Sequence, residues 1–444
     1  MSIVSDLRTT GVADVLVVLR LDESATKTSV QVPASVARHF IQVDNSRDAE
    51  ILRLLRSRQR IVESGAEATT SAVHLGAGKA SSKPVRFFPH LGLALGTVDR
   101  EGLKGLRQEK AVAKIVAAPE LRLIRPVARA AATAPTATYS WGLKRLKVDV
   151  LREQHRLTGK GVLIGHLDTG VDGAHPALKG AIAEFAFFDA LGNLRPGAPT
   201  ADSDDHGTHT AGTIAGRAVG GVQFGVAPEA KLASAAVIEG GKVIARILAG
   251  MDWAVGKKVR ILSMSLGLIG TAETFRTLTK ILRAKGVLPV FAVGNEGPGS
   301  SRYPGNYPEA LSVGAIDGND DVADFSSSQQ FVRRDDPIVP DLVAPGVEVV
   351  SCAPGGGYQS MDGTSMATPH IAGLAALLMQ AEPSATVDQI EAAIFQSCQR
   401  GSMRPERANR GCPDGVAALN ALRSMAAPAA SAAVGKKRAH RKLA

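Results

Sequence analysis

The chain of 444 residues carries 52 Lys and Arg against 42 Asp and Glu, for a formal net charge of +10, and 45% of it is hydrophobic. It is long for one domain and apolar enough for a large core, so a large unit with a smaller one is expected. No stretch approaches the roughly 18 apolar residues of a membrane span, and basic residues scattered among few aromatics argue against a nucleic-acid partner.

The chain start lacks a charged region followed by an apolar one, and the apolar stretch at residues 15–19 is too short to be a leader, so a cytoplasmic protein is expected. Residues 12–21 read as a strand, 48–63 as a helix, 64–82 as a Gly/Ala/Ser/Thr-rich loop, 85–98 as extended, 100–112 as a helix and 113–124 as extended. That order is close to a split βαβ arrangement. Residues 128–138, rich in Ala, Thr and Pro, have the composition of an exposed, cleavable linker.

Farther along, residues 161–167, 231–237, 260–265, 287–293, 310–315 and 341–344 read as strands separated by helices or loops, with closing helices at 388–395 and 415–423. Together they predict an α/β fold with a doubly wound, mostly parallel sheet, preceded by a smaller α+β domain. The expected division is 1–125, a linker at 126–138, a main domain at 139–424 and a disordered basic tail at 425–444. Cys352, Cys398 and Cys412 match no zinc spacing; Cys398 and Cys412 can bridge, but in a reducing compartment they read as free thiols.

Three segments carry chemistry. The apolar run from Val162 ends in Asp168-Thr169-Gly170, which puts a carboxylate at the C-terminal edge of a buried strand, where open α/β sheets gather their ligands. His206-Gly207-Thr208-His209 opens a small-residue helix. Gly363-Thr364-Ser365-Met366-Ala367 leads into another, where a serine gains the unpaired N–H groups and partial positive charge of a helix start. Pro369 fits a first-turn position. Serine needs a base to take its proton, and that base needs an anion to fix its tautomer.

Asp, His and Ser in this order, within these motifs, resemble the subtilisin-like serine peptidases. The resemblance covers roughly residues 141–424. It implies Ser365 as nucleophile, His206 as general base and acid, and Asp168 as the orienting carboxylate. Phe291-Ala292-Val293-Gly294-Asn295-Glu296-Gly297 is similar to the family's oxyanion segment, which makes Asn295 the side-chain donor. Ser265, Leu266 and Gly267 resemble the family's substrate-pairing strand end and one wall of the S1 pocket, with Ala292, Val293 and Gly294 as the other wall. Arg302 matches the floor of that pocket. It either favours an acidic P1 residue there or pairs with Glu296 or solvent.

The implied activity is serine endopeptidase, acting on protein or peptide substrates as a monomer; the alternative is a capped peptidase fold used as a binding scaffold. The N-terminal region resembles the family's inhibitory propeptide, an intramolecular inhibitor whose last strand lies in the cleft. If the chain cuts itself, cleavage is expected between Ile124 and Thr138. No Asp or Glu lies between Glu120 and Asp149 to suit an acidic pocket, so either Arg302 does not reach S1, or another protease matures the chain, or the N-terminal region is never removed. No cofactor is needed for the chemistry and no metal ligand set is assigned. A structural calcium in the loop after the His helix lacks carboxylates and would rest on Gln223, backbone carbonyls or another loop.

Overall fold

The computed structural model describes residues 3–20, 33–41, 85–118, 122–133, 137–189, 191–238, 243–270, 275–334 and 336–426. They fall into two compact units, Met1–Pro119 and Glu120–Ala444.

In the first unit, helix α1 (Ile3–Thr9) precedes strand β1 (Ala13–Leu19), followed by β2 (Val85–Phe88), β3 (Leu93–Val98), helix α2 (Arg100–Gln108) and β4 (Val112–Ala117). The strands form one sheet in the order β2-β3-β1-β4, antiparallel throughout. The apolar stretch considered as a leader is its central strand, and Val15 and Val17 pack under Leu103 and Leu106 of α2. Asp99 caps α2 by accepting from the Gly102 amide at 2.7 Å. The helix expected at 48–63 and the loop at 64–82 lie outside the described residues.

The second unit opens with two extended pieces, β5 (Arg122–Leu123) and β6 (Ala128–Ala132). Then come β7 (Leu163–Asp168), β8 (Ile182–Phe187), α3 (His206–Ala215), β9 (Lys231–Ala236), α4 (Val243–Gly256), β10 (Ile261–Met264), β11 (Leu266–Ile269), α5 (Arg276–Ala284), β12 (Leu288–Ala292), β13 (Arg302–Tyr303), β14 (Leu311–Ile316) and β15 (Leu342–Pro345). The hairpin β16 (Val349–Ala353) and β17 (Gly357–Asp362) leads into α6 (Thr364–Ala381), and α7 (Val387–Ser397) and α8 (Gly415–Ala426) close the unit.

Seven strands form a parallel sheet in the order β15-β14-β12-β10-β7-β9-β8. From β7 the chain lays β8 at one edge, fills β9 in between them and then builds from β10 to the other side, so the β7/β10 junction is where strand order reverses. Such a reversal leaves a crevice at the carboxyl ends of the strands. Buried runs such as Leu288–Ala292 and Leu311–Ile316 are apolar on both faces because helices cover both sides. Among the described residues no helix is long and apolar enough to cross a membrane.

Two boundaries differ from expectation. The units divide at Pro119 rather than after 125, because Leu123 and Arg122 pair with Leu266 and Gly267 of β11. The stretch read as an exposed linker exposes its small side chains, yet its backbone is a strand: Ala128–Ala132 pairs antiparallel with β17. Residues 425 and 426 of the expected basic tail are the end of the Gly415–Ala426 helix, and 427–444 lie outside the described residues.

Candidate active site

Strand β7 delivers Asp168 to the sheet edge and α3 begins with His206, so the two motifs meet at element ends. His206 Nδ1 lies 2.6 Å from Asp168 Oδ1, and both side chains are buried. Burial pushes the Asp168 carboxyl up. The charge of His206, its hydrogen bond, His166 and the Thr169 amide outweigh that and hold it below the usual carboxylate range. A carboxylate in that state fixes the imidazole with Nε2 facing the cleft.

The motifs are clamped to each other. Thr169 Oγ1 accepts the Gly207 amide at 2.9 Å and donates to Asp202 at 2.6 Å, and Asp202 also takes the Thr208 amide and hydroxyl. Gly207 is required by this approach, since a Cβ there would sit 2.1 Å from the Gly170 carbonyl oxygen.

Ser365 is the second residue of α6, which Gly363 caps, so its amide is among those without an intrahelical partner. Pro369 is therefore inside the helix rather than in its first turn. Its missing N–H frees the carbonyl of Ser365, and the Ser265 hydroxyl donates to that carbonyl at 3.3 Å. Ser265 thus braces the helix with its side chain while its own carbonyl faces the cleft.

Asn295 follows β12. Its Oδ1 accepts the Thr364 amide at 2.9 Å and the Thr364 hydroxyl at 2.8 Å, which fixes the amide so that Nδ2 points into the cleft. Leu266 and Gly267 lie on the edge of β11 that β5 occupies, while Ala292, Val293 and Gly294 follow along and beyond β12. Arg302 closes the space between them. Its Nε and Nη2 both donate to Glu296 Oε1, at 2.9 and 2.5 Å, and its Nη1 donates to the Gly267 carbonyl at 3.0 Å.

The cleft is occupied by the chain itself. The Ile124 amide donates to the Ser265 carbonyl at 3.0 Å, continuing the pairing of β5 with β11, and the Val127 amide donates to the Asp362 carbonyl at 2.7 Å. Between these anchors Ser365 Oγ donates to the Ile124 carbonyl at 2.6 Å, whereas Asn295 Nδ2 donates to the Arg125 carbonyl at 2.9 Å. His206 Nε2 is buried and makes no hydrogen bond among the described residues. Arg125 and Arg129 pin the segment from outside: Arg125 pairs with Asp204 at 3.2 Å, and Arg129 pairs with Asp204 at 2.7 Å and with Asp205.

In the loop after α3, the oxygens considered for calcium are engaged by a cation of the chain. Arg152 donates to Gln223 Oε1 and to the carbonyls of Gly225 and Val226. Among the described residues no group of three or more His, Cys, Asp or Glu is arranged to hold a metal. Sequence reading missed Asp202, Thr364 and the pair His166 and Thr210, which face the far side of Asp168. Strand alternation puts His166 on the same face as Asp168, and a spacing of four puts Thr210 below His206 on α3, so a signal was present.

Fold and site together define a serine peptidase of the subtilisin type, with Asp168, His206, Asn295 and Ser365 gathered at one sheet edge. The family model described as "Subtilase family" matches residues 159–414, and the chain belongs to that family. It is 40% identical over 247 residues to Subtilisin Savinase of Lederbergia lenta, which covers 55% of this chain and 85% of that protein. To M-protease of Shouchella clausii (strain KSM-K16) it is 39% identical over 247 residues, covering 55% of this chain and 60% of that protein. To Subtilisin E of Bacillus subtilis (strain 168) it is 31% identical over 317 residues, covering 68% and 74%.

These matches correct the expected cytoplasmic location, because the matched subtilisins and alkaline proteases are secreted, extracellular enzymes. The reduced cysteines gave that expectation false support. Cys352, Cys398 and Cys412 are free, and burial raises all three thiols, Cys412 to about 12.

Proposed function

We propose that the protein is a serine endopeptidase that cleaves by acyl transfer and is held latent by its own residues 122–132. In the acting enzyme His206 takes the Ser365 proton and Ser365 attacks a peptide carbonyl. Asn295 Nδ2 and the Ser365 amide then hold the oxyanion. His206 protonates the leaving amine, and water repeats the sequence on the acyl group. The observation that carries the reading is the 2.6 Å Asp168–His206 contact, together with Ser365 and the oriented Asn295 amide meeting successive carbonyls of one extended segment.

Latency rests on register. A substrate about to be cut presents one carbonyl to nucleophile and oxyanion donor together. Here Ser365 meets the carbonyl of Ile124 and Asn295 meets that of the next residue, so neither peptide bond is posed for attack. The inhibitor expected in the N-terminal region is thereby narrowed to this segment. Casein hydrolysis and fluorophosphonate labelling, measured before and after limited proteolysis of residues 122–138, test the proposal. Neither activity after the cut would favour the scaffold reading.

For specificity we read Arg302 as the floor of the S1 pocket with its charge neutralised by Glu296. A paired guanidinium gives an acidic P1 residue no advantage, which also agrees with a segment 121–148 without Asp or Glu. In a panel of fluorogenic peptides, Glu at P1 is expected to be turned over no faster than Leu. Glu296→Gln should raise kcat/KM for the Glu peptide relative to Leu by about tenfold, the size of one freed charge contact. A parent enzyme that prefers acidic P1 would refute the pairing argument.

A further inference from the structure

Beyond the four residues above, the catalytic carboxylate is served by a polar chain on its other side. His166, 1% exposed, sits two residues before Asp168 on β7 and faces the same way. Its Nδ1 lies 2.9 Å from Ser234 Oγ on β9, and its Nε2 lies 2.8 Å from Thr210 Oγ1 on α3. Thr210 Oγ1 in turn donates to Asp168 Oδ2 at 3.2 Å and is equally close to the carbonyls of His206 and Gly207. Asp168 Oδ1 is taken by His206 and the Thr169 amide, so among the described residues Thr210 is the donor to Oδ2.

We infer that His166 is a positioning residue for the reaction: its Nε2–H fills a lone pair of Thr210 and aims the Thr210 hydroxyl at the catalytic carboxylate. The negative charge of Asp168 favours this arrangement over donation to the equally close carbonyls of His206 and Gly207. The Thr210 hydroxyl has one proton. If Nε2 were the unprotonated nitrogen, that proton would go to His166 and Oδ2 would lose its donor. With the proton on Nε2, Thr210 accepts from His166 and gives its own proton to Asp168, and Nδ1 accepts from Ser234.

Burial pushes His166 down to about 4, so the ring stays neutral and keeps one donor and one acceptor in the working pH range. The titratable groups facing this cluster are Asp168 and His206 on His166, with Asp202 near Asp168 and His209 near His206. Asp202 and His209 are held by partners of their own, Thr169 with Thr208 and the Val349 carbonyl.

A donor on Oδ2 disperses the charge of Asp168 and so weakens its hold on a protonated His206. Removing that donor strengthens the hold. The acid limb of kcat/KM, which reports protonation of the base in free enzyme, must then move to higher pH. His166→Leu and Thr210→Val are each expected to raise that limb by about half a pH unit and, because the carboxylate is then no longer held in one pose against the imidazole, to lower kcat several-fold with KM unchanged. The double variant should be no worse than either single one, and His166→Gln, which keeps an N–H toward Thr210, should restore most of both effects.

This inference rests on the peptidase reading, so a second readout is independent of turnover: the pH midpoint of the low-field NMR resonance of the Asp168–His206 proton, expected to move with the limb. Absence of hydrolysis in the parent would remove the peptidase reading and leave that midpoint as the test. A midpoint that stays fixed in both His166→Leu and Thr210→Val, whatever their melting temperatures, would overturn the inference and leave His166 a core residue.

Discussion

Ser365→Ala is expected to lower peptide turnover by roughly ten thousand- to a million-fold while leaving the fold in place. The loss is not total because Asn295 and the Ser365 backbone amide keep their oxyanion positions. Among the described residues the hydroxyl makes one hydrogen bond, at 2.6 Å to the Ile124 carbonyl. Its loss costs about 1 kcal/mol, small against the 5–15 kcal/mol of a typical domain. A fluorophosphonate probe should label the parent and not the variant; a labelled variant would mean that another residue is the nucleophile. The same variant also decides how the chain matures. Edman sequencing of parent and variant made side by side should show any new N-terminus between Ile124 and Thr138 in the parent alone. The same cut in the alanine variant would assign processing to a second protease.

How much of this was legible in the sequence depended on how local the cause was. Asp168, His206, Asn295 and Ser365 announce themselves because each needs a particular residue at the end of an element, and element ends carry Gly, Thr and small-residue signals. The parallel strands were legible because burial on both faces leaves continuous apolar runs. β8 was not: Ile182–Phe187 is an edge strand, mostly half-exposed, and its Ala-Glu-Phe-Ala stretch forms no such run. Pro369 was misplaced because the helix starts at Thr364, one residue after a glycine, and a shift of a few positions changes a first-turn proline into an interior one.

Pairings set by tertiary packing could at best be named among options, as for Arg302 and Glu296, and not chosen. Arg302 and Glu296 sit six residues apart across a loop, so whether the guanidinium reaches the carboxylate or solvent depends on how β13 seats against β11. The backbone of residues 128–132 looks like linker by composition. It becomes a strand only because β17, more than two hundred residues later, offers its edge.

Loosening that strand is the change expected to raise activity most. Ile124→Pro removes the amide that donates to Ser265, and Arg129→Glu turns two ion pairs at Asp204 and Asp205 into repulsions. Each should increase the fluorophosphonate labelling rate of the intact chain by about tenfold or more, because a hydrogen bond or a partly buried ion pair is worth on the order of 1 kcal/mol and charge reversal adds a repulsive contribution. Salt separates the two causes. Raising ionic strength to 1 M shortens the screening length to about 3 Å and weakens the arginine clamp. Parent labelling should therefore rise with salt, Ile124→Pro should rise from a higher baseline, and Arg129→Glu should lose most of the dependence. The backbone anchors at Ile124 and Val127 are indifferent to salt, so screening alone should not bring the parent to the rate of a variant that combines Ile124→Pro with Arg129→Glu. Equal rates in parent, Ile124→Pro and Arg129→Glu at every ionic strength would show that residues 122–132 do not restrain the enzyme, and the register offset between Ser365 and Asn295 would then be a resting pose without consequence.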